Sequence, residues 1–324
     1  MKTKIFIIVN MVLWVITVVA WAGEINFPTK PIRIWVGFSP GSNADIMTRA
    51  IATKTEKILG QPIVIENKPG GAGAVAMGLL KNEKPDGYTL GSSTDSPFTR
   101  IPHTTRVAYD PLKDFDYIIF TEKSRTGLAV KSESPFKTFK DCIEFAKKNP
   151  GKLTHGAPGF GTTPHLAMEY IAKIEKVTIQ HVFFPGTTPT MTALLGGHVM
   201  IGTGVTQGYF SHVKAGTMRP LITFEHERHD EWPEVPTVTD LGYNFEVPLC
   251  ELIVAPKGVP KPIISKLIAG FSEAMRSQEV QNLGKTLVSI VPRKPLTGDE
   301  LQKFIEDRYN FYGPLVKELE LKKK

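Results

Sequence analysis

The chain is poor in the features that announce covalent, metal or membrane chemistry. It holds only two cysteines, Cys142 and Cys250, 108 positions apart, which excludes a disulfide-stapled mini-protein. No low-complexity tract, block of like charge or solenoid-spaced repeat is present, so a disordered chain and a coiled coil are excluded. Past the N-terminus there is no apolar run of membrane length. Spacing alone picks out no Cys/His nucleophile pair and no close pair of carboxylates. The net charge is +7, yet Lys2 and Lys4 lie in a leader and Lys322 to Lys324 form a tail. The other charges are interleaved, with no basic stripe carrying aromatics, and this argues against a nucleic-acid partner.

What remains is ordinary globular composition, 41% hydrophobic and 22% charged over 324 residues, enough for two domains. Met1 to Lys4 is positive, Ile5 to Val19 is apolar apart from Asn10 and Thr17, and Ala20-Trp21-Ala22 follows. This three-part pattern predicts a secretory signal cleaved after Ala22 and a periplasmic mature chain. Export would place both cysteines in an oxidising compartment, but their apolar surroundings favour two buried thiols over a bridge.

The mature chain alternates apolar runs with helical patterns. Strands are predicted at Arg33–Phe38, Ile63–Glu66, Tyr88–Ser92, Tyr117–Phe120, Gly127–Lys131, Leu153–Gly156, Ile179–Phe184, Val199–Gly202, Arg219–Phe224 and Leu252–Ala255. Helices are predicted at Ala44–Leu59, Ala74–Lys81, Phe139–Asn149, Pro164–Ile174, Pro189–Leu195, Pro262–Arg276 and Gly298–Tyr312. Pro164 and Pro189 are expected at first helical positions, behind Thr163 and Thr188 as caps. Strand and helix alternating at these spacings predicts parallel sheets of βαβ units.

Three times a strand runs into a Gly/Ser/Thr-rich loop that opens a helix: Phe38 to Asp45, Gly156 to Thr163, and Pro185 to Thr188. The first turn of a helix has N–H groups without partners and a dipole that favours negative charge. Glycines let an anion approach that backbone, and hydroxyls add donors. Three such loops at the carboxyl ends of strands predict an anion-binding cleft.

Two enzyme motifs fail on inspection. Gly37-Phe38-Ser39-Pro40-Gly41 matches a nucleophile elbow, but Pro40 has no N–H for an oxyanion hole, and the strand comes too early. Gly71-Ala72-Gly73-Ala74-Val75-Ala76 matches a dinucleotide fingerprint, but Asn67-Lys68-Pro69-Gly70 separates it from its strand. His226 and His229 sit in a polar stretch expected to be a solvated loop. No cofactor and no metal are expected.

Several stretches together resemble the Bug (Bordetella uptake gene) family, the substrate-binding receptors of tripartite tricarboxylate transporters. Phe27-Pro28-Thr29-Lys30-Pro31-Ile32-Arg33 is similar to that family's opening, and Phe38 to Asp45 to its F-x-P-G-G-x-x-D loop. Leu59-Gly60-Gln61-Pro62, Glu66-Asn67-Lys68-Pro69-Gly70 and Pro85-Asp86-Gly87-Tyr88-Thr89-Leu90 resemble further blocks. So do Gly159-Phe160-Gly161-Thr162, Leu194-Leu195-Gly196-Gly197, Trp232 to Thr237 and Ala255 to Pro260. Singly weak, these motifs are specific in this order, which runs from about Phe27 to Lys266.

The resemblance implies an α/β, two-lobed periplasmic-binding-protein fold (type II-like), each lobe a sheet flanked by helices. Two crossovers, near Glu122–Leu128 and Phe245–Glu251, would act as the hinge. Residues 1–22 would be the signal, 23–124 with 247–324 the first lobe, and 125–246 the second. The expected ligand is a small organic carboxylate and the expected partners are two membrane subunits, with the receptor a monomer. The ligand-binding residues expected in the first lobe are Phe38, Ser39, Gly41, Ser42, Asn43, Asp45, Ser92, Ser93 and Thr94. Those of the second are Gly159, Phe160, Gly161, Thr162, Thr163, His165, Phe184, Gly186, Thr187 and Thr203.

The sequence departs from the family at Ser42, at Phe183-Phe184-Pro185-Gly186, where a lysine is absent, and at Met200. Phe160, Phe183 and Phe184 suggest a less polar ligand body. A receptor feeding a sensor kinase, and a secreted hydrolase using Ser39, are the competing functions. The intact mass of the exported protein tests the leader: a 302-residue chain beginning at Gly23 is expected, and retention of Met1 to Ala22 would contradict export.

Overall fold

The computed structural model describes residues 26–319 apart from 230, 244 and 246–248. The signal segment, the lysine tail and part of the second crossover lie outside the described residues. The elements run β1 (Ile32–Val36), α1 (Asn43–Leu59), β2 (Ile63–Asn67), α2 (Ala74–Leu80), β3 (Thr89–Thr94), α3 (Ser96–Thr99), α4 (Ile101–Thr104) and β4 (Phe115–Ser124). Next come β5 (Thr126–Lys131), α5 (Phe139–Lys148), β6 (Leu153–Ala157), α6 (Thr163–Glu175), β7 (Ile179–Phe183), α7 (Thr187–Leu195), β8 (Ile201–Val205), α8 (Gln207–Lys214) and β9 (Met218–Thr223). The chain closes with β10 (Leu249–Pro256), α9 (Lys261–Arg276), α10 (Gln278–Thr286), β11 (Ser289–Ile290) and α11 (Gly298–Glu318).

Local chemistry explains most boundaries. In α1, Met47, Ile51 and Ala52 make one buried face, and Gly60 ends the helix in the left-handed conformation. In α5, Phe139, Cys142, Ile143 and Ala146 repeat at helical spacing behind a Thr138–Asp141 capping box. Helices α6 and α7 begin earlier than expected, with Thr162 and Gly186 as caps, so Pro164 and Pro189 lie inside the first turn. Proline is tolerated there because first-turn N–H groups have no helical acceptor. Helices α8 and α10 were not foreseen. Cys142 and Cys250 are free and buried.

Two sheets form, in the orders β11-β4-β10-β3-β1-β2 and β7-β6-β8-β5-β9. They are mixed, which corrects the expectation of parallel sheets. Strand β10 runs antiparallel to β3 and β4, and β5 antiparallel to β8 and β9. The reason is the passage between lobes. β4 leaves the first sheet at Ser124, and β5 enters the second at Thr126, with Arg125 alone between them. A strand entering at the edge where the parallel strands end must run against them. Each sheet has an apolar core on both faces. Met47, Ile51, Leu267 and Phe271 cover one face of the first sheet, and Met77, Leu80, Leu301 and Ile305 the other. Tyr312 and Val316, late in α11, belong to the core of the second sheet, so this helix spans both lobes.

One buried ion cluster ties α11 to the sheet beneath the cleft. Asp95 receives Arg100 at 2.6 and 3.0 Å and Arg308 at 2.9 and 2.8 Å. Burial alone would raise the Asp95 carboxyl; the two guanidiniums outweigh it and hold the group below its ordinary range. Removing one partner strands the rest as uncompensated charge. Asp95→Asn should therefore cost about 3–5 kcal/mol in urea unfolding, and a loss under about 1 kcal/mol would contradict this account.

Candidate functional site

Three helix N-termini converge between the sheets. Ser42, Asn43 and Ala44 open α1, Thr162 and Pro164 open α6, Gly186 and Thr187 open α7, and all line one small cavity of about 40 Å³. Phe38, Thr94, Ser96, Pro158, Val205, Leu249 and Glu251 complete its wall, which among the described residues contains no lysine or arginine. The first intrahelical bonds begin at Ile46, Leu166 and Thr190. The N–H groups of Asn43, Ala44, Thr163, His165, Thr187 and Thr188 thus have no acceptor four residues back.

Each loop is held by its own bonds. Ser42 Oγ accepts the Asp45 N–H at 3.3 Å, while Asp45 accepts the Gly41 N–H at 2.9 Å and Asn67 Nδ2 at 2.8 Å. Burial would raise the Asp45 carboxyl, but Arg49, Gly41 and Asn67 outweigh it and keep it low. Gly41, at φ +76° with open space around it, accepts a side chain sterically but not conformationally. Gly161 is different: at φ +72°, an added Cβ would lie 2.8 Å from Thr104 Oγ1 and 3.0 Å from Ile101, across the cleft. Ser39 Oγ also reaches across, donating to the Pro185 carbonyl at 3.4 Å.

A second cavity of about 590 Å³ shares Phe38 and Pro158 with the first. Val75, Leu79, Phe160, Phe183 and Phe184 make it apolar, and Arg106 is its one basic residue. Gly71 to Val75, from the stretch that imitates a dinucleotide fingerprint, forms part of this wall. The small cavity suits a charged head and the large one a ligand body.

The other expected residues sit apart from the small cavity. Ser92 is buried against Thr48 (2.7 Å), and Ser93 Oγ is buried without a hydrogen-bond partner. Gly159, Phe160 and Phe184 line the larger cavity, and Thr163 Oγ1 is buried and unpaired. His165 lies behind the second loop, where its Nδ1 accepts the Gly161 N–H at 3.0 Å. Thr203 is inside the sheet, 2.7 Å from His155 Nε2. His229, expected in a solvated loop, is buried, stacked on the Trp232 ring and joined to that residue by an isolated antiparallel bridge.

The sequence reading missed the floor. Glu122 and Glu251, both fully buried, meet where β4 and β10 pair at the crossover. Asn43 Nδ2 donates to Glu122 at 2.5 Å and to Ser124 at 2.9 Å, and Ser124 donates to Glu251 at 3.4 Å. Burial and then the neighbouring Glu251 raise Glu122 far above the ordinary carboxylate range. Burial pushes Glu251 up to about 7, against bonds from Glu122, Asn43 and Ser124. Both shifts favour the protonated acids, and two buried carboxyls side by side oppose double ionisation.

Residues 47–321 match the tripartite tricarboxylate transporter family receptor. This chain belongs to that family. It is 41% identical over 250 residues to a UPF0065 protein in the gbd 5′ region of Cupriavidus necator, covering 77% of this chain and 76% of the relative. It superposes on the periplasmic binding protein BugD with a TM-score of 0.86 at 25% identity, covering 92% of this chain and all of BugD. For MatC of Rhodopseudomonas palustris, solved with bound malate, the TM-score is 0.82 at 26% identity, over 90% of this chain and all of that one. The family and these structural relatives are binding proteins with a two-lobed α/β fold. Membership places the chain in the periplasm as a receptor for solute transport. No described helix is long and apolar enough to cross a membrane.

The acid pair predicts an inverse pH dependence of stability. Because folding raises both carboxyls, their contribution is complete below the ordinary value of 4.5 and is lost as pH rises towards about 7. Glu251→Gln should flatten the fall in unfolding free energy between pH 5 and pH 8, by up to about 1.4 kcal/mol per pH unit. An unchanged slope would show that the pair is not protonated.

Proposed function

We propose that the protein captures a small organic carboxylate from the periplasm and hands it to two membrane subunits of a tripartite transporter. One observation carries this reading: three helix N-termini face a head-sized cavity whose wall has no cationic side chain. Unpaired N–H groups and aligned dipoles there neutralise a carboxylate as a lysine otherwise would. The adjoining apolar cavity accommodates the rest of the ligand, and Arg106 offers a partner for a second acidic group. That MatC was solved with malate supports the class of ligand. Protonation of Glu122 and Glu251, which burial favours for both, lessens the floor's repulsion of it.

The remaining parts of the proposal follow the same lines. The mature protein starts after Ala22 and works as a monomer without a catalytic step. The lobes close about Arg125 and the second crossover, and the residues expected from sequence at the three loops are the ones that touch ligand.

Calorimetry with mono-, di- and tricarboxylates tests the reading. Ser42→Ala should weaken the tightest ligand by about 0.5–1.5 kcal/mol, the worth of one neutral hydrogen bond. Gly41→Val should do more, because a β-branched residue is strained at φ +76° and must move the loop. A folded Gly41→Val that binds like wild type would remove the first loop from the site. A smaller radius of gyration with ligand is the expected scattering signature of closure.

A further inference from the structure

Behind the second loop lies a cluster that the binding site does not use. His165 and Glu169 project from α6, His181 from β7, His155 from β6 and Thr203 from β8. Glu169 Oε1 stands 3.3 Å from His165 Nε2 and 3.3 Å from His181 Nε2. His181 Nδ1 is 2.7 Å from His155 Nδ1, and His155 Nε2 is 2.7 Å from Thr203 Oγ1. Phe160 and Phe183, which wall the larger cavity, pack on the His165 ring at 5.1 and 4.9 Å.

The proton positions follow from one fixed donor. The Gly161 backbone N–H can only donate, so His165 Nδ1 must be an acceptor. A neutral His165 then carries its proton on Nε2 and gives it to the Glu169 carboxylate. Glu169 accepts from His181 Nε2 in the same way, leaving His181 Nδ1 as an acceptor. His155 must donate to it from Nδ1, and its own Nε2 accepts the Thr203 hydroxyl at 2.7 Å in preference to the Gly156 carbonyl, 3.4 Å from the same oxygen. Every ring nitrogen thus has one assigned role. Burial lowers His181 to about 4 and His155 well below its ordinary value, while Glu169 stays ionised against burial through its bond with His165 and the two rings.

The same donors could suit a cation, since one ligand atom from each of His165, Glu169 and His181 lies within 4.8 Å of the others. That use requires a lone pair on His165 Nε2, hence a proton on Nδ1 facing the Gly161 N–H. The loop bond and the metal exclude each other.

We propose that Glu169, His181 and His155 are positioning residues that lock His165 in the Nε2–H tautomer, so that it holds Gly161 and sets the second anion-binding loop. The functional consequence rests on the receptor reading above; the tautomer does not. Gly161 sits at φ +72° in contact distance of the opposite lobe, so its placement sets how the loop meets the cleft. The groups facing this ring are Glu169 from its own helix, His181 from β7 and, through His181, His155 from β6.

Two-dimensional ¹H–¹⁵N spectra of the histidine rings, on the unliganded full-length mature protein at pH 7.5, read the tautomers directly. The expected pattern is Nε2–H for His165 and His181 and Nδ1–H for His155. Glu169→Gln, which cannot accept two N–H bonds on one neutral amide oxygen equally well, should lower the Gly161 amide protection factor at least tenfold. An Nδ1–H signal for His165 would overturn the proposal, as would unchanged Gly161 protection in a folded Glu169→Gln. A saturable rise in melting temperature with stoichiometric Zn²⁺, abolished by Glu169→Gln, would equally overturn it and make the cluster a metal site. Carboxylate binding tests the consequence separately: correct tautomers with no binding would fail the receptor reading and leave the lock intact.

Discussion

Every α-helix begins with N–H groups that its own backbone cannot satisfy, and this fold brings three such beginnings to one place. In each lobe the parallel strands end, and their following helices start, on the same edge. The crossover at Arg125 turns the two edges towards each other. The result is a small cavity lined by three helix N-termini and, among the described residues, by no cationic side chain. Burying those donors without an acceptor would be costly, so the arrangement favours an anion between the lobes.

The acidic floor makes sense only beside that constraint. Two ionised glutamates under an anion site would oppose both folding and binding. A single proton held by the pair removes half of that charge, and Asn43, the first residue of α1, ties the pair to the helix that faces the cleft. Farther down, Asp95 is ionised because Arg100 and Arg308 face it. The two acidic centres are thus handled in opposite ways, one by raised carboxyls that favour protonation and the other by guanidinium groups.

Much of this was legible in the chain. The Ser42-x-x-Asp45 spacing announces a capped helix start, and the structure places both side chains on loop amides. The glycines at 41, 159, 161 and 186 all adopt positive φ, which local sequence can suggest because few other residues tolerate it. What stayed hidden depends on distant pairing. Glu122 and Glu251 meet only because β4 and β10 lie side by side, and His155, Glu169 and His181 come from three separate elements. The antiparallel strands were misjudged for a similar reason: their direction is set by where the chain crosses between lobes, not by their own composition.

The central claim is that backbone, not side-chain cations, holds the ligand's charged head. A crystal structure with the tightest-binding carboxylate of a mono-, di- and tricarboxylate series tests it most directly. The account predicts one carboxylate group within hydrogen-bond distance of N–H groups from at least two of the three helix starts, at Asn43–Ala44, Thr163–His165 and Thr187–Thr188. No lysine or arginine nitrogen should touch that group. A ligand whose only carboxylate contacts are to Arg106 or another guanidinium, with the helix starts facing water, would contradict it.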